Sequence, residues 1–279
     1  MPGTLYLCAT PIGNLEDMTF RVIETLKTVD LIAAEDTRNS IKLLNHYNIS
    51  TPMTSYHEFN KYEKGEKLIE KLQEGLNVAV ITDAGMPGIS DPGEEIVRQA
   101  YAAGIPVTVL PGACACVTAL TLSGLPTRRF CFEAFLPTEK KERKEVMEEL
   151  KKETRTIVMY EAPHRLAKTL AELNEELGDR SLSICRELTK KHETVMKTTL
   201  ASAAAFYAEN EAKGECVLVI DGVSRQELQK QKQESFENMS IEEHMQIYLS
   251  QGMQEKDAMK AVAKDRGVSK RDVYAALLK

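Results

Sequence analysis

No apolar run in the 279-residue chain approaches the roughly 20 residues that a membrane span requires. The first residues, Met1-Pro2-Gly3-Thr4, lack the basic start of a secretory signal. Together these absences predict a cytoplasmic protein with no membrane partner. Cysteine is not paired: Cys8, Cys114, Cys116, Cys131, Cys185 and Cys216 show no C-x-x-C spacing, and no histidines cluster with them. Reduced, mostly buried thiols are expected, and no metal. Positive charge is not in excess either. The 36 Lys and Arg stand against 42 Asp and Glu, a net charge of −6, which excludes a protein that coats nucleic acid through its whole surface. A nucleic-acid site must then be a local basic patch. Walker A, H-E-x-x-H, G-x-S-x-G and carboxylate-metal loops are all missing, which removes the hydrolases built on them.

Apolar, β-rich segments do recur, with helical stretches between them. Leu5–Ala9, Leu31–Ala34, Val78–Thr82 and Val107–Leu110 read as strands, and their alternation with helices predicts parallel βαβ units in an α/β fold. Thr19–Thr28 places Phe20, Ile23 and Leu26 on one helical face. Lys64–Gly75 does the same with Leu68, Ile69 and Leu72, and Gly75 stops it. A second series follows: strand Arg129–Phe135, helix Lys140–Lys152, strand Thr156–Tyr160, helix Pro163–Leu177, strand Ser181–Arg186, helix Leu200–Ala212 and strand Glu215–Ile220. The expected organisation is an α/β unit over 1–112, a second over 113–222, a linker over 223–238 and a helical tail over 239–279. Gln, Lys and Glu dominate the linker. In the tail, Ser240 and Ser269 are candidate N-caps and Gly267 closes the middle helix, which is helix-turn-helix spacing. The tail's seven Lys and Arg against six Asp and Glu are only weakly suited to nucleic acid.

In open α/β sheets ligands bind where loops leave the carboxyl ends of the strands. Ala9 to Asp17 makes a stiff turn through Pro11 and Gly13 without the dinucleotide fingerprint. Glu35-Asp36-Thr37-Arg38 sets three charges against a strand end and reads equally as a site or as a solvated first helical turn. Ser55 to Asn60 offers His57, Glu58 and two aromatics able to stack on a base. Thr82 to Gly93 is the most informative loop. Its three glycines, two prolines and two aspartates build a rigid segment whose amides and carboxylates can grip a polar ligand. Pro111 to Cys116 opens a small-residue helix and reads equally as permitting close approach of a ligand at the junction between the halves or as tight helix packing. Tyr160-Glu161-Ala162-Pro163-His164-Arg165 gathers an acid, an imidazole and a guanidinium at a strand end, and Arg186 to Glu193 concentrates basic groups.

Taken together, Leu5-Tyr-Leu-Cys-Ala-Thr-Pro-Ile-Gly-Asn-Leu-Glu-Asp, Ala34-Glu-Asp-Thr-Arg, Thr82-Asp-Ala-Gly-Met-Pro-Gly-Ile-Ser-Asp-Pro-Gly and Tyr160-Glu-Ala-Pro-His-Arg resemble the tetrapyrrole methylase superfamily. Within it they look like the branch of ribosomal RNA small subunit methyltransferases I. The resemblance covers the whole chain, since Gly252–Leu278 is similar to that branch's C-terminal helix-turn-helix. It departs from the porphyrin-modifying relatives, which carry G-x-G-P-G and G-D-P where this chain has Ala9-Thr-Pro-Ile-Gly and Ala84-Gly-Met-Pro. A tetrapyrrole acceptor is thereby put in doubt, but not the methyl donor.

The resemblance implies two α/β domains with S-adenosylmethionine in the cleft between them, and 2′-O-methylation of a decoding-centre cytidine in 16S rRNA, within the 30S subunit. It implies a homodimer as well. Carried over by position, the donor lies against Pro11, Gly85, Met86, Ile89, Ser90, Cys114, Ala115, Tyr160, Leu188 and Glu215. Proton removal and ribose positioning fall to Glu35, Asp36, Arg38, His57, Glu161, His164 and Arg165. Arg128, Arg129, Lys140, Lys141, Arg143, Lys144, Lys190, Lys191, Lys270 and Arg271 are the RNA-binding candidates. Two other readings stay open. One keeps the donor but methylates a small molecule or tetrapyrrole, and the other is a non-catalytic RNA-binding assembly factor.

Overall fold

The computed structural model describes residues 1–236 and 239–278. Five strands form the first sheet: β1 (Leu5–Cys8), β2 (Leu31–Ala34), β3 (Met53–Ser55), β4 (Val78–Ile81) and β5 (Val107–Leu110). They run in the order β3-β2-β4-β1-β5, every pair parallel. The inner strands β1, β2 and β4 are short and apolar on both faces because helices cover both. Leu5, Leu7, Ala33, Val78 and Val80 face α3 (Lys61–Gln73) and α4 (Gly93–Ala102), burying Leu68, Leu72 and Ile96. The alternate positions, Cys8, Ile32, Ala34, Ala79 and Ile81, face α1 (Phe20–Thr28) and α2 (Thr37–His46), with Val22, Leu26 and Leu44. This period of two sends each strand's side chains to opposite layers.

The second sheet holds β6 (Phe130–Phe135), β7 (Thr156–Glu161), β8 (Ser181–Arg186), β9 (Thr194–Thr199) and β10 (Cys216–Ile220), in the order β6-β7-β10-β8-β9. Here the expectation of parallel units is corrected. Only β6 and β7 are parallel, while β10 is antiparallel to both neighbours and β9 to β8. One face is covered by α6 (Lys140–Leu150), α7 (Pro163–Leu177) and α8 (Leu200–Glu209). The other face packs on α5 (Ala115–Ser123), which follows β5 of the first sheet, together with Ile12 from the loop after β1. Ile12, Cys116, Ala119 and Leu120 meet Val158, Cys185, Val217 and Val219 there, so the halves share a core.

Three further expectations change. Phe20 is 90% exposed, because α1 turns Val22, Leu26 and the preceding Met18 inward and Phe20 falls on the opposite face. The strands β3 and β9 are additional, the first only three residues long and the second an edge strand without an apolar run. Within 223–238, Arg225–Glu234 forms helix α9, since Gln, Lys and Glu are good helix formers, and residues 237 and 238 lie outside the described residues.

The tail comprises α10 (Ile241–Ser250), α11 (Glu255–Arg266) and α12 (Lys270–Leu277) around Met245, Ala258, Val262 and Val273. Ser240 and Ser269 both close capping boxes, and Gly267 ends α11 at φ 65°. Residue 279 lies outside the described residues. Among the described residues, no helix is long and apolar enough to cross a membrane.

Candidate functional site

All five parallel strands of the first sheet send their C-terminal loops to one edge. In the second sheet, the ends of β7 and β8 meet the start of the antiparallel β10, with Cys216 opposite Glu161 and Arg186. The two edges enclose a cleft of about 360 Å³. Glu35 follows β2, and Thr82, Asp83, Ala84, Gly85, Met86, Ile89, Ser90 and Asp91 follow β4. Cys114 and Ala115 open α5, while Phe135, Tyr160, Glu161 and Glu215 to Val217 come from the second sheet.

Hydrogen bonds hold these loops in shape. Thr10 and Gly85 exchange backbone bonds of 2.9 and 3.0 Å, and the Thr10 hydroxyl donates to the Thr82 carbonyl at 3.1 Å, tying the first loop to the fourth. One oxygen of Asp91 accepts from the amides of Gly88 and Gly93 at 2.8 and 2.7 Å. A Cβ on Gly93 would sit 2.5 Å from the Gly88 nitrogen, so glycine is required there. Gly13 lies against Leu188, Thr189 and Lys190, and a Cβ there would meet the Leu188 carbonyl oxygen at 2.8 Å. Among the described residues, four of the five non-glycine residues with positive φ border this region: Ser90, Ala134, Glu187 and Thr189. Such strain gathers where a ligand-binding shape is imposed on the chain.

The acidic groups differ sharply. Glu161 is 3% exposed and fully engaged: Oε1 accepts from the Ala162 amide (2.7 Å) and Arg165 Nε (2.9 Å), and Oε2 from the Thr169 hydroxyl (2.6 Å). It holds Arg165, whose guanidinium lies over the Phe135 ring at 5.7 Å. Glu35 Oε2 accepts from the Thr82 hydroxyl at 2.6 Å and the Asp83 amide at 3.2 Å. Asp36 caps α2 and pairs with Arg38 at 2.7 Å, which holds its carboxyl down at about 2. Asp83 is pushed the other way, first by desolvation and then by the charge of Glu35. Desolvation also raises Asp91. Cys114 and Cys116 place their sulfurs 3.4 Å apart. Donation from the Cys116 thiol, helped by the first amides of α5, holds Cys114 down to about 6, while the same bond and burial push Cys116 up.

Of the residues expected around a donor, Gly85, Met86, Ile89, Ser90, Cys114, Ala115, Tyr160 and Glu215 line the cleft. Pro11 lines a neighbouring hollow instead, and Leu188 is buried in the shared core beneath it. Glu35 and Glu161 line the cleft as well. Asp36, Arg38, His57, His164 and Arg165 do not, although Arg165 reaches its edge through Glu161 and Phe135. His57 sits beyond the cleft on the loop after β3. Its amide donates to Asn60 Oδ1 and its Nε2 lies 3.2 Å from Asn60 Nδ2. His164 is exposed on the first turn of α7.

Among the basic candidates, Arg128, Arg129, Lys140, Lys141, Lys144, Lys191 and Arg271 are exposed and Lys270 half-buried. Arg143 is half-buried, pairs with Glu172 at 2.7 Å and also donates to the Pro137 carbonyl and Thr169 hydroxyl. Lys190 bridges Glu187 and Glu215 at 3.0 and 3.1 Å. Sequence reasoning missed Asp83 as a site residue, although it sits in the most informative loop. It also missed Phe135, Cys216 and Val217, because β6 carries a bulge and β10 enters the cleft by its amino end. The rule that ligands meet carboxyl ends does not reach an antiparallel strand.

A hollow of about 350 Å³ adjoins the cleft, lined by Pro11, Ile12, Gly13, Leu15, Asn39, Lys42, Leu43, Asp83, Ala84, Lys190 and Glu215. Ile12, Asp83, Ala84 and Glu215 belong to both spaces.

The family model for Tetrapyrrole (Corrin/Porphyrin) Methylases matches residues 4–204. The chain is 51% identical over 272 residues to the ribosomal RNA small subunit methyltransferase I of Halalkalibacterium halodurans, covering 98% of this chain and 93% of that one. It is 49% identical over 274 residues to the protein of the same name from Bacillus subtilis, covering 98% and 94%. Among solved structures it is similar to a diphthine synthase (TM-score 0.63, 14% identity, 78% of this chain and 90% of that one). It is also similar to the uroporphyrin-III C-methyltransferase of Thermus thermophilus complexed with S-adenyl homocysteine (TM-score 0.54, 18% identity, 78% and 92%).

Proposed function

The chain belongs to the tetrapyrrole methylase family and is an S-adenosylmethionine-dependent methyltransferase, and from that premise we propose that it methylates the 2′-oxygen of a decoding-centre cytidine in 16S rRNA. The single observation that carries this acceptor is the near full-length identity to ribosomal RNA small subunit methyltransferases I from two organisms. We place the donor in the cleft between the sheets. Its volume is within the ordinary range for small-molecule sites. Its floor of Ile12, Ala84, Gly85, Ala115 and Val217 suits an apolar nucleoside face, and Glu35, Asp91 and Glu215 suit a cation.

When bound, the donor supplies an electrophilic methyl group on a positively charged sulfur. What the protein contributes is alignment and proton handling. The bond network around Gly85, Asp91 and Thr10 holds the loops that would seat the donor, so that little reorganisation accompanies reaction. Glu161 orients Arg165 at the cleft edge, where a guanidinium can take a phosphate in bidentate fashion. Arg128, Arg129, Lys140, Lys141, Lys144 and Lys191 would make the scattered RNA contacts. Because they are few and interrupted by carboxylates, affinity should fall only shallowly with salt. The protein would work in the cytoplasm as a homodimer, on rRNA within the 30S particle.

The test is methyl transfer from labelled S-adenosylmethionine to 30S particles and to naked 16S rRNA lacking the modification, with the labelled nucleotide mapped and its ribose analysed. Label on a decoding-centre 2′-oxygen supports the reading. Donor binding without label on either substrate assigns the acceptor to a small molecule, and failure to bind the donor leaves an assembly factor.

A further inference from the structure

Resting on that reading of the acceptor, we infer that the hollow between α2 and the Lys190 loop seats the acceptor nucleotide, and that Asp83, on the wall shared with the donor cleft, receives the 2′-hydroxyl proton. The first support is adjacency. The hollow and the cleft have Ile12, Asp83, Ala84 and Glu215 in common, so a ribose in one can present its oxygen to a methyl group in the other. That wall is pinned by the paired backbone bonds of Thr10 and Gly85.

The second support is the lining. Leu15 and Leu43 offer apolar surface to a base, Asn39 a side-chain amide, and Lys42 and Lys190 positive charge to flanking phosphates. Lys190 is held in place by Glu187 and Glu215, whereas Lys42 forms no ion pair among the described residues.

The third support is elimination among the acids. Glu161 and Asp91 line the donor cleft but not the hollow, and Asp36, bound to Arg38 and the α2 amides, lines neither. Glu35 lines the donor cleft but not the hollow. Asp83 lines both. Its Oδ1 accepts from the Asp36 amide at 3.2 Å and its Oδ2 from Asn39 at 3.5 Å, which orients the carboxylate and leaves lone pairs for a substrate hydroxyl.

Its titration is set by desolvation, by Glu35 and Asp36 after β2 and by the Asn39 amide on α2, with the Arg38 charge beside it; the charged groups that face it across the two spaces are Lys42 on α2, Asp91 on its own loop, and Lys190 and Glu215 from the second half. Desolvation and Glu35 raise its pKa toward that of a working base. In the transfer, the ribose O–H bond breaks and its proton goes to Asp83. The oxygen's electron pair forms the new bond to the methyl carbon, and the electrons of the carbon–sulfur bond return to sulfur, leaving a neutral thioether. The carboxylic acid then gives its proton to solvent as product leaves.

The experiment uses the full chain with 30S particles lacking the modification, comparing wild type with Asp83→Asn, Asp83→Glu and Lys42→Ala. Asp83→Asn should lower kcat at least about 100-fold. Its donor affinity by calorimetry should hold within about threefold, and the acid limb of the pH–kcat profile should vanish. Asp83→Glu should restore part of the rate. Lys42→Ala should raise KM for the particle about tenfold and reduce the salt slope by about one. Asp83→Asn with near wild-type kcat, or with an unchanged pH profile, overturns the proposal. So does equal loss of donor binding and rate, which would make Asp83 part of the donor site only. If wild type labels no RNA at all, the acceptor reading fails and this seat fails with it. If wild type labels a 2′-oxygen and Asp83→Asn does too, only the role given to Asp83 falls.

Discussion

Cys114 and Cys116 have the same side chain two positions apart, yet their thiols are driven in opposite directions by one 3.4 Å contact and the start of α5. Cys114 should therefore alkylate with iodoacetamide at pH 7, and the rate should fall as pH drops below about 6, where the thiolate is protonated. Saturating S-adenosylmethionine should protect it, since Cys114 lines the cleft. Cys8, Cys131, Cys185 and Cys216 should resist, because burial pushes their thiols up to about 12, 11, 11 and 11. Mass spectrometry of alkylated peptides with and without donor checks this, and equal labelling of all six refutes it. At this scale the sequence was informative about which loops matter and less so about roles. Glu161 and Arg143 look like free chemical groups in one dimension and are engaged by other side chains in three, because nothing in the chain near them announces Thr169 or Glu172 as partners. Asp83 is the converse. It stands in the right loop, but only the neighbouring hollow gives it a second face.

The elements were legible where they are buried. The strands that became β1, β2 and β4 are continuous apolar runs because both faces are covered, and α7 and β8 have the very bounds that Pro163 and the apolar pattern suggested. The edge strands β3 and β9, which have no apolar run, were not legible. In β9 only Met196, Thr198 and Thr199 are half-buried, and the pairing of β10 depends on strands distant in sequence. The loop after β4 is the element on which the cleft depends most, and it is stiff because of Asp91 and Gly93. Gly93→Ala places a Cβ 2.5 Å from backbone, which no rotamer change relieves. Overpacking of that kind costs about 1–3 kcal/mol. Urea unfolding should show that loss, and calorimetry should show donor affinity weakened about tenfold, as misplacement of Asp91 and Ser90 requires. A variant with wild-type stability and affinity would show that the loop is not the rigid frame inferred from its hydrogen bonds.

In the whole molecule, every residue lining the cleft falls between Ile12 and Val217. The tail packs its own core and meets the rest through α9 and α11, with Gly267 close against Gln233. A chain ending at Ser224 keeps the buried Val223, whose amide donates to the Glu153 carbonyl at 2.9 Å. Its donor affinity should stay within about twofold of the full chain, as expected for distant, independent parts. Loss of donor binding by calorimetry would show that the tail supports the cleft. The layered α/β architecture and the helical tail were both readable from pattern. The mixed second sheet was not, since strand direction is decided by contacts that no local pattern records.

The left-handed backbone at Ser90, Ala134, Glu187 and Thr189 bears on how such a protein changes under selection. L-residues at such angles cost about 1–2 kcal/mol each, so glycine at any of these positions is a ready route to a higher melting temperature. All four lie around the cleft, and glycine would loosen the very wall that side chains now fill. Lineages selected for heat tolerance could thus take their cheapest gains at the expense of turnover, and persistence of non-glycine residues at these positions in a heat-adapted relative would mark the rim as held for function rather than for stability.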